Sequence, residues 1–263
     1  KTLALGIPML LRRLAQSLKE QNWTAIWIEF ILLVSGVFLG IQVSNWNEAR
    51  VERNRELVFL AQLRAEISNN VATIEHQLRY QGQLVASGRR ALAFLQSDGH
   101  CEADCAGLII DFFHASQLWG APYARAKYEE NQRLGFPTSS EARAAVDNFY
   151  SSIDGWDAVT AAAPPYRERV RGKFTPEASE QLWRGCWRSV GARFEELVRD
   201  CETGLSALDV QSMLADIYAD TEIRSDLKFW IGQNIFAVNT LPDAFMYAKA
   251  ATEAIDHERG VVP

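Results

Sequence analysis

Residues 23–44 read WTAIWIEFILLVSGVFLGIQVS, and how this stretch is read decides the fold. It carries one charged side chain, Glu29. As a helix its length is roughly 33 Å, close to the ~30 Å hydrocarbon thickness of a bilayer. Trp23 and Trp27 stand at one end and Trp46 just past the other, where amphipathic rings anchor a span at the two membrane interfaces. Two other readings compete. A buried core helix of this length rarely has aromatic and charged flanks. A cleaved signal peptide has a shorter apolar run, followed by a small-x-small site that is missing here. The stretch is expected to be a transmembrane helix.

The charge distribution fits an anchored protein. Residues 1–22 carry Lys1, Arg12, Arg13 and Lys19 against Glu20 alone. From Asn45 onward 23 basic residues face 31 acidic ones, and the whole chain has a net charge of −6. An acidic chain is a poor match for nucleic acid. Within the first segment, Met9, Leu10, Leu14 and Leu18 oppose Arg12, Arg13 and Lys19. That pattern suits an amphipathic helix lying on anionic headgroups or docked on a partner. Basic residues flank both ends of the span, so charge alone leaves its orientation nearly balanced.

Two features inside the span concern neighbours. Gly36, Gly40 and Ser44 recur every four residues and make a face on which a second helix can approach closely. Glu29 lies about two turns in. It either reaches the headgroups or meets a neighbouring subunit or cofactor.

No proline falls between Trp23 and Gln96. After the span Ile67, Val71, Ile74, Leu78, Val85, Leu92 and Leu95 recur at alternating steps of three and four, once Gln81 and Gly88 fill the gaps. One long helix is expected to run to Leu95, with a weakened seam near Gly82 and Gly88. Its stripe suits a helical bundle better than a short parallel coiled coil. Further helices are expected over 103–118, 123–134, 140–153, from Pro176, and over 207–257, with a kink or break at Pro242. No stretch alternates as a sheet strand does. The fold class is therefore all-α: a transmembrane helix continuing into a long helix that packs in a helical bundle. The domains are 1–22 interfacial, 23–44 transmembrane and 45–263 helical.

Cys101 and Cys105 are four apart, and Cys186 and Cys201 fifteen apart. On one straight helix the second pair would lie about 22 Å apart, beyond the ~7 Å reach of a disulfide. If all four are oxidised, the simplest scheme is Cys101–Cys105 and Cys186–Cys201, with a helix break at Ser189–Gly191. A metal site from His100, Cys101, Cys105 and His114 is the competitor, but it lacks the second half of a zinc pattern. Four cysteines suit an oxidising compartment, which places the large domain outside the cytoplasm and the N-terminus inside. No phosphate loop, nucleophile elbow, zinc-protease or haem-attachment motif occurs in the sequence. Adjacent acids such as Glu129–Glu130 and Glu195–Glu196 suit solvated helix faces. No catalytic residue, metal site or cofactor is expected.

Glu29 to Glu48, EFILLVSGVFLGIQVSNWNE, resembles the signature of an uncharacterised family of bacterial single-pass membrane proteins. The matching residues are Glu29, Gly36, Gln42 and the exit Asn45-Trp46-Asn47-Glu48. More loosely, Lys127 to Gly135 with Arg143 and Phe149-Tyr150 resembles a second family pattern. The resemblance implies architecture, a bacterial inner-membrane location and no mechanism. The function expected is a non-catalytic accessory or structural subunit. It would bind and stabilise a larger integral membrane complex through its transmembrane helix and periplasmic domain, for example a photosynthetic reaction-centre and antenna assembly or a respiratory complex. The alternative is a periplasmic sensor or ligand-binding module working through a partner.

Overall fold

An unbroken run of side chains without proline, rich in Leu, Ala, Glu, Gln and Arg, favours helix at every step from the span onward. The computed structural model describes residues 23–118, 120, 122–160, 163–191 and 193–261. The amphipathic segment expected within residues 1–22 lies outside them. Helix α1 covers Trp23–Gln96, 74 residues, so the expected continuity holds. Seven further helices follow among the described residues: α2 (Cys105–Ala115), α3 (Ala126–Leu134), α4 (Ser140–Thr160), α5 (Pro165–Arg171), α6 (Pro176–Gly185), α7 (Ala207–Ala219) and α8 (Thr221–Arg259). Strands β1 (Trp187–Val190) and β2 (Phe194–Leu197) stand between α6 and α7. The fold is all-α with one small hairpin among the described residues.

The chain divides into two units, Lys1–Glu56 and Leu57–Pro263. In the first, the described residues are all helical. In the second, α1 from Leu57 onward is wrapped by the other helices. Its stripe behaves as expected: Ile67, Ile74, Val85 and Leu95 are buried, with Gln81 between them. A second buried stripe on α1 consists of Glu66, Asn70, Thr73, Gln77, Tyr80, Leu84, Ser87 and Ala91. It repeats at steps of four and three, so α1 buries two adjoining faces.

The two larger apolar clusters among the described residues fill most of this unit, and a small third one joins Tyr80 to Leu197 of the hairpin. Of the larger two, one joins Leu84, Phe94 and Leu95 of α1 to Phe112 and Phe113 of α2, Tyr166 of α5, Leu182 of α6, Leu214 of α7 and Leu227 of α8. The other joins Leu60, Leu63, Ile67 and Ile74 to Phe149, Tyr150 and Ile153 of α4 and to Leu241, Ala244, Ala248, Ala251 and Ile255 of α8. Each fully buried large side chain contributes about 1.5–3 kcal/mol. The alanines let α4 lie close against α8. Trp230 donates its indole N–H to the Ala115 carbonyl at 2.9 Å, which satisfies the polar end of a buried ring.

Three expectations are corrected. The break in the last helical stretch falls at Asp220, whose carboxylate accepts the Glu222 amide at 3.2 Å and starts a new helix. Pro242 sits inside α8, which continues through it. Residues 187–197 are not a broken helix. They form an antiparallel hairpin pairing Trp187 with Leu197 and Val190 with Phe194, turning near Gly191 at φ 65°. Pro165 is the first residue of α5, where a missing N–H costs nothing.

Gly88 is a close approach and not a weak seam. A Cβ there would lie 2.8 Å from Cγ1 of the buried Ile231, whereas a Cβ at Gly82 meets nothing within 4 Å. Gly88→Val should therefore cost about 1–3 kcal/mol by overpacking. Gly82→Ala should be neutral or stabilising by up to about 1 kcal/mol. Urea midpoints of the full chain in detergent measure both, and equal shifts would contradict the packing.

Candidate functional site

The first element of the site is the face of α1 before Leu57. Apolar side chains normally leave water, yet Trp23, Trp27, Phe30, Leu33, Val37, Phe38 and Ile41 are each more than half exposed. This part of α1 is long and apolar enough to cross a membrane, and its most apolar stretch is not buried inside the structure. Trp27 packs edge-on against Phe30 at 5.9 Å, and the Arg50 guanidinium lies 5.9 Å from the Trp46 ring. Gly36 and Gly40 have nothing within 4 Å of a would-be Cβ. Ser44 donates to Glu48 at 3.3 Å. Glu29 is exposed on the same apolar helix. Gly36, Gly40 and Ser44 thus share an open face of small residues.

The second element is polar and lies in the unit that begins at Leu57. Glu66 of α1 is buried, and its carboxylate accepts the amides of Lys127 (2.8 Å) and Tyr128 (3.0 Å) and the Tyr150 hydroxyl (2.6 Å). Those amides belong to the first turn of α3, where a helix presents unpaired donors and a positive dipole end. One turn on, Asn70 accepts the Ala124 amide and donates to the Ala124 carbonyl, both at 2.8 Å. Two turns further, Gln77 accepts the Tyr123 hydroxyl. Three residues of one helix face therefore hold the segment entering α3.

The residues of the second, looser pattern converge on this clamp. Tyr128 stacks on Tyr150 with centroids 4.0 Å apart. Its hydroxyl donates to Asp147 at 3.0 Å. Burial, then the Asp147 bond, push the Tyr128 phenol up to about 12. Tyr150 is pushed higher still by burial and by Glu66. Gly135 ends α3 at φ 78°, and Arg143 donates to the carbonyls of Gly135 (2.9 Å) and Pro137 (2.8 Å). Arg125 pairs with Asp154 beside the Tyr150 ring.

Two further polar clusters fix the hairpin end. Buried Asp111 accepts from Arg90 at 2.7 and 2.9 Å and from Arg199 at 3.0 and 3.2 Å. Glu195 of β2 accepts the Trp187 indole N–H at 2.9 Å and the Tyr80 hydroxyl at 3.3 Å, and its carbonyl accepts His76 Nε2 at 2.6 Å. A cavity of about 280 Å³ opens beside them, lined by His76, Arg79, Tyr80, Glu195 and Glu196 among others. Arg171 sits 5.4 and 5.0 Å from the Phe113 and Trp183 rings. Burial lowers its pKa to about 10.

The cysteines pair as Cys101–Cys105 and Cys186–Cys201, with Cα separations of 5.7 and 5.2 Å. Both cysteines of the alternative metal set are therefore in a disulfide, and His114 is instead buried against the Cys186 carbonyl at 2.8 Å. His100 is exposed. Among the described residues, no group of three or more His, Cys, Asp or Glu is arranged to hold a metal ion.

Residues 29–92 match a family of unknown function, DUF6090. The matched segment holds the open apolar face and also Glu66, Asn70, Gln77 and Tyr80. No curated protein and no solved structure matches the chain. Sequence reasoning missed Glu66, Asn70 and Gln77 as a site, since polar residues on a helix suggest solvent. Their four-and-three spacing beside the apolar stripe was the available signal.

Glu66→Ala leaves three donors without their acceptor and should cost about 3 kcal/mol, with Glu66→Gln costing less; urea midpoints in detergent check both. His114 is held neutral. Burial lowers its pKa from 6.5 to about 4, against the raising effect of the Cys186 carbonyl. The unfolded chain then binds a proton that the fold refuses. Stability is full above pH 6.5, falls by about 3 kcal/mol as pH drops to 4, and levels below that. His114→Asn should flatten the difference across that window, read as unfolding midpoints from pH 7 to 4.

Proposed function

We propose that this chain is a non-catalytic, membrane-anchored accessory subunit that binds and stabilises a larger integral membrane complex. One observation carries the reading: the exposed apolar length of α1 with an open face at Gly36, Gly40 and Ser44. An apolar helix 22 residues long has its free-energy minimum in a bilayer. A face without side-chain bulk there favours a second helix over lipid, because backbones then approach closely and gain dispersion contacts. The two disulfides support placing the unit from Leu57 onward in an oxidising compartment. For a bacterial inner membrane that is the periplasm, with the N-terminus in the cytoplasm. The buried polar groups described above are mostly bonded to other protein groups, which suits a rigid scaffold better than a reaction centre.

Purification of the native protein in mild detergent, with mass spectrometry of what remains bound, tests the reading. A larger membrane complex in fixed stoichiometry is expected. Gly36→Leu with Gly40→Leu should cut its recovery at least tenfold while the unit from Leu57 onward keeps its unfolding midpoint. A lone monomer or homodimer would overturn the proposal and favour the sensor or ligand-binding alternative.

A further inference from the structure

The two disulfides are not equivalent. Cys186–Cys201 closes a separation of fifteen residues, and Cys186 is fully buried beneath the hairpin. Cys101–Cys105 closes only four, and both cysteines are partly exposed between exposed His100, Glu102, Ala103 and Asp104. A cross-link stabilises mainly by restricting the unfolded chain, and this effect grows with the length of the loop it closes. Little of the fold's stability therefore rests on the shorter bridge.

The placement of Cys105 gives it a second property. It is the first residue of α2, an eleven-residue helix. Asp104 precedes it at φ 52° and makes no side-chain cap to the helix. Its side chain therefore leaves the backbone at the positive end of the helix dipole, a position that stabilises a thiolate, while in the bridged state its sulfur lies 3.2 Å from the Cys101 carbonyl oxygen. Asp104, the preceding residue, carries a carboxylate that would oppose this, but Arg199 holds it at 2.8 Å. Gly107 makes room for that carboxylate, since a Cβ there would lie 2.2 Å from Asp104 Oδ1. Cys101 has no helix terminus of its own. The pair thus combines a favoured thiolate with a resolving thiol at a partly open surface.

We propose that Cys101 and Cys105 form a thiol–disulfide exchange site, acting on a protein disulfide or a protein thiol pair in the same compartment. With the pair reduced, the Cys105 thiolate attacks one sulfur of a partner disulfide. The partner's S–S bond breaks, a Cys105–partner bond forms, and the released partner thiolate takes a proton from water. Cys101 loses its proton to water and attacks the Cys105 sulfur. The mixed disulfide breaks, the second partner thiolate leaves and is protonated, and Cys101–Cys105 re-forms. One partner disulfide becomes two thiols while two chain thiols become one disulfide. With the pair oxidised the same steps run in reverse and pass the disulfide to a partner's thiols. The inference stands apart from the accessory-subunit reading, since it needs neither the membrane complex nor the open glycine face.

The full chain in detergent is titrated with dithiothreitol, alkylated with iodoacetamide and mapped by peptide mass spectrometry. Cys101 and Cys105 should be alkylated at a reductant concentration at least tenfold below that needed for Cys186 and Cys201, with the near-ultraviolet circular dichroism unchanged. In Cys101→Ser, the Cys105 alkylation rate should titrate below the ordinary thiol value of about 8.5. That variant should react with an aromatic disulfide such as dithionitrobenzoate at least tenfold faster at pH 7 than Cys105→Ser does. Reduction of both bridges together only as the fold is lost would overturn the proposal. So would selective reduction with ordinary titration and equal reactivity in the two variants, which would leave a plain surface bridge.

Discussion

The structure depends on one unbroken helix whose two parts make opposite demands on their surroundings. The part of α1 before Leu57 exposes large apolar side chains that water does not tolerate. The part after it buries two adjoining faces against its own chain. Backbone hydrogen bonding inside a helix is satisfied in either environment, so the chain need not change its secondary structure between them. Only the side chains change. This is why 74 residues continue without proline. A break within the span would leave backbone groups unpaired in the hydrocarbon.

The second buried face shows what the helix carries besides apolar contacts. Glu66, Asn70 and Gln77 give the segment entering α3 its hydrogen-bond acceptors and donors, and the apolar stripe beside them supplies the burial. Buried polar groups cost free energy unless bonded, and once bonded they admit one register only. The Asn70 pair with the Ala124 backbone leaves little freedom for a slip along α1. Arg143 does the same for the turn after α3 by capping the carbonyls of Gly135 and Pro137. Asp111, shared between Arg90 and Arg199, closes the other end of the unit.

The parts of the fold that follow period were legible in the sequence. The apolar stripe through Ile67, Ile74 and Val85 announces itself by spacing, and the helix at Pro176 by the proline that opens it. The cysteine pairing was the simplest scheme for four oxidised cysteines, but the helix break it called for is instead the hairpin between Cys186 and Cys201. What spacing cannot show is partnership. Glu66 and Asp111 look like any solvated helix acid until the amides and guanidiniums that face them, tens of residues away, are placed. The hairpin was hidden for a related reason. Its strands have four residues each, too few for a period to show, and they are held by the Cys186–Cys201 bridge and the Trp187–Glu195 bond. Pro242 misled because a proline inside a long, well-packed helix loses one bond that the surrounding burial offsets.

The central claim is that residues 23–44 lie within a bilayer and that the unit after them stands outside the cytoplasm. Single cysteines at Val34, Leu39, Val51 and Val58, introduced one at a time and labelled with a membrane-impermeant maleimide in intact spheroplasts, test it most directly. The account predicts labelling at Val51 and Val58, with Val34 and Leu39 silent until detergent is added. Labelling at Val34 or Leu39 in the intact membrane, or silence at Val58, would contradict it.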